Sequence, residues 1–252
     1  MTITIAIAGK GGTGKTTVAA FLVQLLADRG TVLAVDADPS SNLNLALGLP
    51  LEETVGGIRE GMAEEVSSGR FPVGIPKQDY LDLRINEALV ESKWVDLLAM
   101  GRPEGPGCYC AANSMLRAIL DRLISGYDYV VIDNEAGMEH LSRRTTRDVD
   151  ILIAVSDPTM RGITTVARIR DLAAELRTKI GRMALVINRV NGDLPEPVAQ
   201  AIGELGVELI GLIPEDRHIG EYDATGRPLI KLPADSPARL AVRNVVRRLG
   251  LI

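Results

Sequence analysis

Cysteine is nearly absent from this chain. Only Cys108 and Cys110 occur among 252 residues. No disulfide framework can hold the fold together, and a reducing, cytoplasmic compartment is expected. Long apolar runs are missing too. None approaches the roughly 18 residues that cross a bilayer, so no membrane role is expected. The first charge in the chain is Lys10, so no secretory leader is expected. Positive charge is not in excess. Lys and Arg number 28 against 33 Asp and Glu, a formal net charge of −5, which argues against nucleic acid as the main partner. What remains, 46% hydrophobic and 24% charged, is the composition of a soluble globular protein, with one domain expected over 1–252.

Glycine, by contrast, is concentrated near the start. The run Gly9-Lys10-Gly11-Gly12-Thr13-Gly14-Lys15-Thr16-Thr17 fits Gly-x-x-x-x-Gly-Lys-Thr, a phosphate-binding loop. Its glycines let the backbone curl and bring N–H groups close to phosphate oxygens. Lys15 brings a cation to the β- and γ-phosphates, and Thr16 offers a hydroxyl to Mg²⁺. Thr4 to Ala8 reads as a buried strand before the loop. Thr16 to Asp28 reads as a helix after it, whose N-terminus adds the positive end of its dipole. Gly11, Gly12, Thr13, Gly14, Lys15, Thr16 and Thr17 are the expected nucleotide contacts.

Two further strand-like runs end in carboxylates. Thr31 to Val35 leads into Asp36-Ala37-Asp38-Pro39, and Tyr127 to Ile132 into Asp133-Asn134-Glu135-Ala136-Gly137. The C-terminal ends of parallel strands form the ligand edge of such a sheet. Asp36, Asp38 and Asp133 would serve Mg²⁺ and the attacking water there, and Gly137 would bring an N–H to the γ-phosphate. Turn or cap aspartates are the alternative for Asp36 and Asp38.

The second lysine of the loop narrows the picture. Gly-Lys-Gly-Gly-x-Gly-Lys-Thr-Thr resembles the deviant phosphate-loop ATPases: the MinD and ParA proteins, nitrogenase iron protein and the metal-insertion ATPases. That resemblance implies a nucleotide-dependent homodimer in which Lys10 reaches the partner's nucleotide, supplying the positive charge an arginine finger gives elsewhere. It implies Lys10, Lys15 and Asp38 as catalytic residues, with Asp38 directing the water and Asp36 near the metal's hydration shell. It also implies that Asn188 contacts adenine, with Pro214, Glu215 and Asp216 beside the base. A solvated surface charge remains the alternative for Lys10, and a turn or cap role for Asn188.

The rest of the chain alternates. Apolar runs at 94–100, 150–155, 183–188 and 207–213 are separated by helical periodicity at 163–177 and 196–205. The expected fold is α/β: a doubly wound, mostly parallel sheet with helices on both faces, of the P-loop NTPase type. Residues 50–93 read only as short helices within a long connection. Ser236-Pro237 opens a last, basic helix striped with Val242, Val245, Val246 and Leu249. It resembles the membrane-targeting tail of MinD, and docking onto the sheet is the preferred reading.

The two cysteines sit in Gly101-Arg102-Pro103-Glu104-Gly105-Pro106-Gly107-Cys108-Tyr109-Cys110, just before a helix expected at about 111–124. A helix N-terminus favours the thiolate that metals bind, and a disulfide across one residue is strained. Two thiolates make half of a tetrahedral site. With no third cysteine and only His140 and His218, a second copy of the loop across a two-fold axis is the economical completion. This segment, with Glu135 in switch II where partitioning ATPases carry proline, resembles the CooC-type nickel-insertion ATPases. The resemblance implies Mg-ATP-driven handling of Ni²⁺, with Zn²⁺ a competing ion, and carbon monoxide dehydrogenase as client. A MinD- or ParA-like positioning ATPase acting on membrane or nucleoid is the alternative.

One outcome follows from a motif the chain lacks. A guanine reader carries Asn-Lys-x-Asp, whereas the strand here ends Asn188-Arg189-Val190-Asn191. Steady-state hydrolysis should favour ATP over GTP. Comparable rates with both would refute this reading of Asn188.

Overall fold

The structure is a computed structural model that describes residues 1–72, 74–101, 118–135, 148–175 and 179–252. The expected Cys108, Cys110 and Gly137 lie outside the described residues. Seven strands form one sheet: β1 (Ile3–Gly9), β2 (Val32–Ala37), β3 (Asp96–Ala99), β4 (Tyr129–Asn134), β5 (Asp148–Ser156), β6 (Lys179–Val190) and β7 (Glu208–Pro214). Their order is β3-β2-β4-β1-β5-β6-β7, and every pairing is parallel. The doubly wound parallel fold expected from the alternation is the one observed.

Helices cover both faces, which is why the strands are apolar throughout instead of alternating with polar residues. On one face Ile5, Ile7, Ala34 and Val131 pack under α1 (Lys15–Ala27), α2 (Leu43–Leu47) and the last helix. On the other, Ala6, Ala8, Val35 and Ile132 meet α3 (Val55–Ser67), α4 (Lys77–Ala88) and helical residues 118–123. Further along that face Leu185 and Ile187 meet α5 (Met160–Glu175) and α6 (Glu196–Glu204). Helix α1 lies at the centre and is buried along most of its length, including Val18, Phe21, Leu22 and Leu26. The segment 50–93, weakly patterned in sequence, holds α3 and α4. Helix α3 is capped by the Thr54 hydroxyl, which accepts from Gly57 N at 3.1 Å.

After α7 (Arg217–Ala224), which sequence periodicity did not mark, the chain closes with α8 (Pro237–Arg248). Its stripe of Val242, Val245 and Val246 is buried, so the docking reading holds. Two of its arginines serve as clasps: Arg239 donates to Leu232 O at 2.8 Å and Arg248 to Ile210 O at 3.1 Å. Among the described residues no helix is long and apolar enough to cross a membrane.

The contact of α8 with β7 is close enough to test. A methyl group on Gly211 would collide with Val245 Cγ2, and Val245 is fully buried. Gly211→Ala should therefore cost about 1–3 kcal/mol by overpacking. Chemical denaturation measures it; an unchanged midpoint would mean α8 is loosely seated.

Candidate active site

All strands run the same way, so β1, β2, β4, β6 and β7 deliver Gly9, Asp36, Asp133, Asn188 and Pro214 to one edge. The order reverses around β1, which has β4 on one side and β5 on the other. Such a reversal opens a crevice where ligands bind.

The loop after β1 is built from local constraints. Gly12 and Gly14 adopt left-handed φ values of 78° and 88°, which side-chain-bearing residues rarely accept. The Lys10 carbonyl gathers the loop inward: it accepts from Thr13 Oγ1 at 2.9 Å, Thr13 N at 3.4 Å and Lys15 Nζ at 3.4 Å. Thr13 and Lys15 are buried, whereas Lys10, Gly11 and Gly12 are exposed. Burial lowers the pKa of the Lys15 ammonium, while Asp133, Asp38 and Glu135 push it back up.

Opposite the lysine stand the carboxylates. Asp36 and Asp133 are register partners on adjacent strands. The Thr16 hydroxyl donates to Asp133 Oδ2 at 2.6 Å, and Asp133 Oδ1 is buried with no hydrogen-bond partner. Burial pushes the Asp133 carboxyl up to about 7, against the pull of the Thr16 hydroxyl. Asp36 is likewise pushed by burial to about 6. Its two oxygens accept from Asp38 N at 3.1 Å and Leu43 N at 2.8 Å, so it also braces the turn that carries Asp38. Asp38 itself is partly exposed, and its Oδ1 accepts from Ser40 N at 2.8 Å.

The expected base-side residues come together. A cavity of about 620 Å³ runs from Gly14 and Thr17 past Asn188 to Pro214, Glu215 and Asp216. The Asp216 carboxylate lines this cavity and also holds local structure: it caps α7 by accepting from His218 N at 3.0 Å and takes the Ser236 hydroxyl at 2.6 Å. Burial alone would raise its pKa, but the Ser236 and His218 bonds outweigh it and lower it. Asn188 is buried and donates to Thr13 O at 2.8 Å, a contact no motif announces. Sequence reasoning also missed Asp223. It lines this cavity and a neighbouring one of about 330 Å³ that reaches Thr16, Asn42 and Arg227. Asp223 lies on α7, which the sequence reading left out. Among the described residues, no cluster of three or more His, Cys, Asp and Glu side chains could hold a metal ion.

Comparisons with known proteins agree with this geometry. Residues 4–229 match the CobQ/CobB/MinD/ParA nucleotide binding domain. An uncharacterised ATP-binding protein of Methanocaldococcus jannaschii is 46% identical, covering 97% of each chain. The carbon monoxide dehydrogenase accessory protein CooC of Rhodospirillum rubrum is 32% identical over 88% of this chain and 87% of its own. Among solved structures, the septum site-determining protein MinD of Pyrococcus horikoshii, complexed with Mg-ADP, superposes with a TM-score of 0.72. It is 25% identical and covers 99% of this chain and 96% of its own.

The buried carboxylates carry a signature in stability. A carboxyl whose folded pKa is raised gives stability that is present below the unfolded value and lost as pH rises through the folded value. For Asp133 that window runs from about 4 to about 7. Stability of the ligand-free protein should fall across it. Asp133→Asn, which keeps an acceptor for Thr16, should raise stability at pH 7.5 by on the order of 3 kcal/mol and flatten the slope. Thermal unfolding across pH tests this; an Asn variant no more stable than wild type at pH 7.5 contradicts it.

Proposed function

Because the chain belongs to the CobQ/CobB/MinD/ParA nucleotide-binding family, we propose that it is a dimerising Mg-ATPase that binds Ni²⁺ through Cys108 and Cys110 and assists its insertion into carbon monoxide dehydrogenase. ATP hydrolysis is the family's chemistry. The finer reading is carried by the similarity to CooC along nearly the whole chain, joined to a Cys-x-Cys pair in the segment that follows β3.

The residues divide the work as follows. Backbone N–H groups of Gly11 to Thr17 and the Lys15 ammonium bind the triphosphate at the N-terminus of α1. The donor set at Thr16 and Asp133 is all oxygen, and the unpartnered Asp133 Oδ1 suits a hard divalent cation. Thr16 and Asp133 would hold Mg²⁺, with Asp36 beside them. When bound, it supplies positive charge at the β- and γ-phosphates. Asp38 orients the attacking water and accepts its proton. Lys10, exposed on the loop, reaches the nucleotide of the second subunit and stabilises charge that develops in the transition state. Gly137 contributes a γ-phosphate N–H. Asn188, Pro214, Glu215 and Asp216 form the adenine side. ATP thereby favours a closed dimer and hydrolysis an open one, and the two cysteine pairs approach or part with that cycle. The alternative is a MinD- or ParA-like positioning ATPase acting on membrane or nucleoid; the buried apolar stripe of α8 speaks only against a membrane contact through that stripe.

Two sets of variants test this. Lys15→Ala should abolish tight ATP binding. Lys10→Ala should keep binding but slow turnover at least about a hundredfold, the scale of a lost trans-acting cation. Equal loss of affinity in both would end the role of Lys10 in trans.

Metal analysis with sedimentation tests the cargo. One Ni²⁺ per two chains is expected, with affinity falling as pH drops, because thiolates must be deprotonated to bind. Cys108→Ala or Cys110→Ala should remove the metal and leave ATP binding intact. One metal on a stable monomer, unchanged in the cysteine variants, would overturn the nickel reading.

A further inference from the structure

The resemblance to related ATPases gives Asn188 the job of touching adenine, yet its side chain is turned toward the phosphate loop. Nδ2 donates to Thr13 O at 2.8 Å, and Oδ1 accepts from Arg189 N at 2.9 Å. Asn188 is 6% exposed, and its bond to Thr13 O is buried. Each end of the amide is bonded beside a left-handed backbone position. On one side is Gly14, at φ 88°, where any Cβ would overlap the Asn188 amide nitrogen. Glycine is therefore required at position 14 twice over, by its backbone angle and by the presence of the amide. On the other side is Arg189, a non-glycine residue at φ 59°. It sits at the register shift where β6 leaves regular pairing with β7.

That shift shapes the base cavity. Residues 189–192 form one wall. Glu215 N donates to Val190 O at 3.0 Å, which ties the opposite wall to the same turn. One buried amide thus joins the phosphate loop to both walls of the cavity.

We propose that Asn188 is a positioning residue for the phosphate loop: it pre-forms the Thr13–Gly14 turn and fixes the base cavity to it, so that its contribution to ATP binding is felt at the triphosphate and not only at the base. The proposal rests on the triphosphate lying in the Gly9–Thr17 loop. Removing the donor leaves Thr13 O buried without this bond. The cost of an orphaned buried acceptor corresponds to about tenfold or more in affinity.

The test separates a strut from a base reader by using a ligand that has no base. Affinities for Mg-ATP and for inorganic tripolyphosphate with Mg²⁺ are measured by calorimetry on wild type, Asn188→Ala and Asn188→Asp. The aspartate keeps an acceptor for Arg189 N but sets an oxygen against Thr13 O. We expect both ligands to weaken by similar factors, about tenfold or more, in both variants. A loss confined to ATP, with tripolyphosphate unchanged, makes Asn188 a base reader and overturns the proposal, as does no loss for either ligand. Hydrogen exchange on the nucleotide-free proteins gives a readout independent of any ligand. Amides of residues 11–15 should exchange faster in both variants, while those of the β1 and β5 core stay as slow as in wild type. Unchanged exchange in the loop also overturns the proposal.

Discussion

The rest of the structure turns on two carboxylates and an ammonium held at one edge of an apolar sheet. Asp36 and Asp133 are register neighbours on β2 and β4, each almost fully buried. Burial disfavours the charged form of a carboxyl, and it displaces both upward, with the Asp36 charge adding to the shift of Asp133. Lys15 is buried beside them and displaced downward by burial. The three do not satisfy one another: Asp133 keeps an oxygen without a partner, and Lys15 turns to a main-chain carbonyl. A divalent cation and a polyphosphate would supply the missing counter-charges.

Holding that cluster in register is the task of the fold. Parallel pairing fixes Asp36 opposite Asp133, and the α1 dipole arrives at the loop because α1 is anchored along most of its apolar length. The anchoring is layered. Helix α8 and the 229–231 turn cover α1, with Gln24 donating to Ile230 O at 2.9 Å.

The phosphate loop and the strands beside it were legible because their signals are local. A fixed glycine spacing, a β-rich run and a carboxylate at its end each report on adjacent residues. The parallel order was legible from alternation alone. Less accessible were features made by long-range pairing. Asn188 bonds Thr13 across 175 positions, and no spacing rule reaches so far. Asp36 read as a metal-side residue, but two backbone N–H groups claim its oxygens, and only the fold of the 38–43 turn reveals them. Helix α7 was missed because its eight residues, Arg217–Ala224, are mostly polar and bury only Tyr222. With it went Asp223 and the second cavity.

The nucleotide edge and the start of the cysteine segment are mechanically close. Met100 N donates to Asp36 O at 2.8 Å, and Met100 O accepts from Gly56 N at 2.8 Å. Gly101 follows at φ 65°, packed so tightly on Thr54 that a side chain would collide with it. The chain that goes on to Cys108 thus departs from a point gripped on one side by the Asp36 backbone and on the other by the α3 cap. Rigid, packed elements pass small displacements on instead of absorbing them. Asp36 is joined to Met100 through a single backbone hydrogen bond. β2 and β3 make this connection by being neighbours in the sheet.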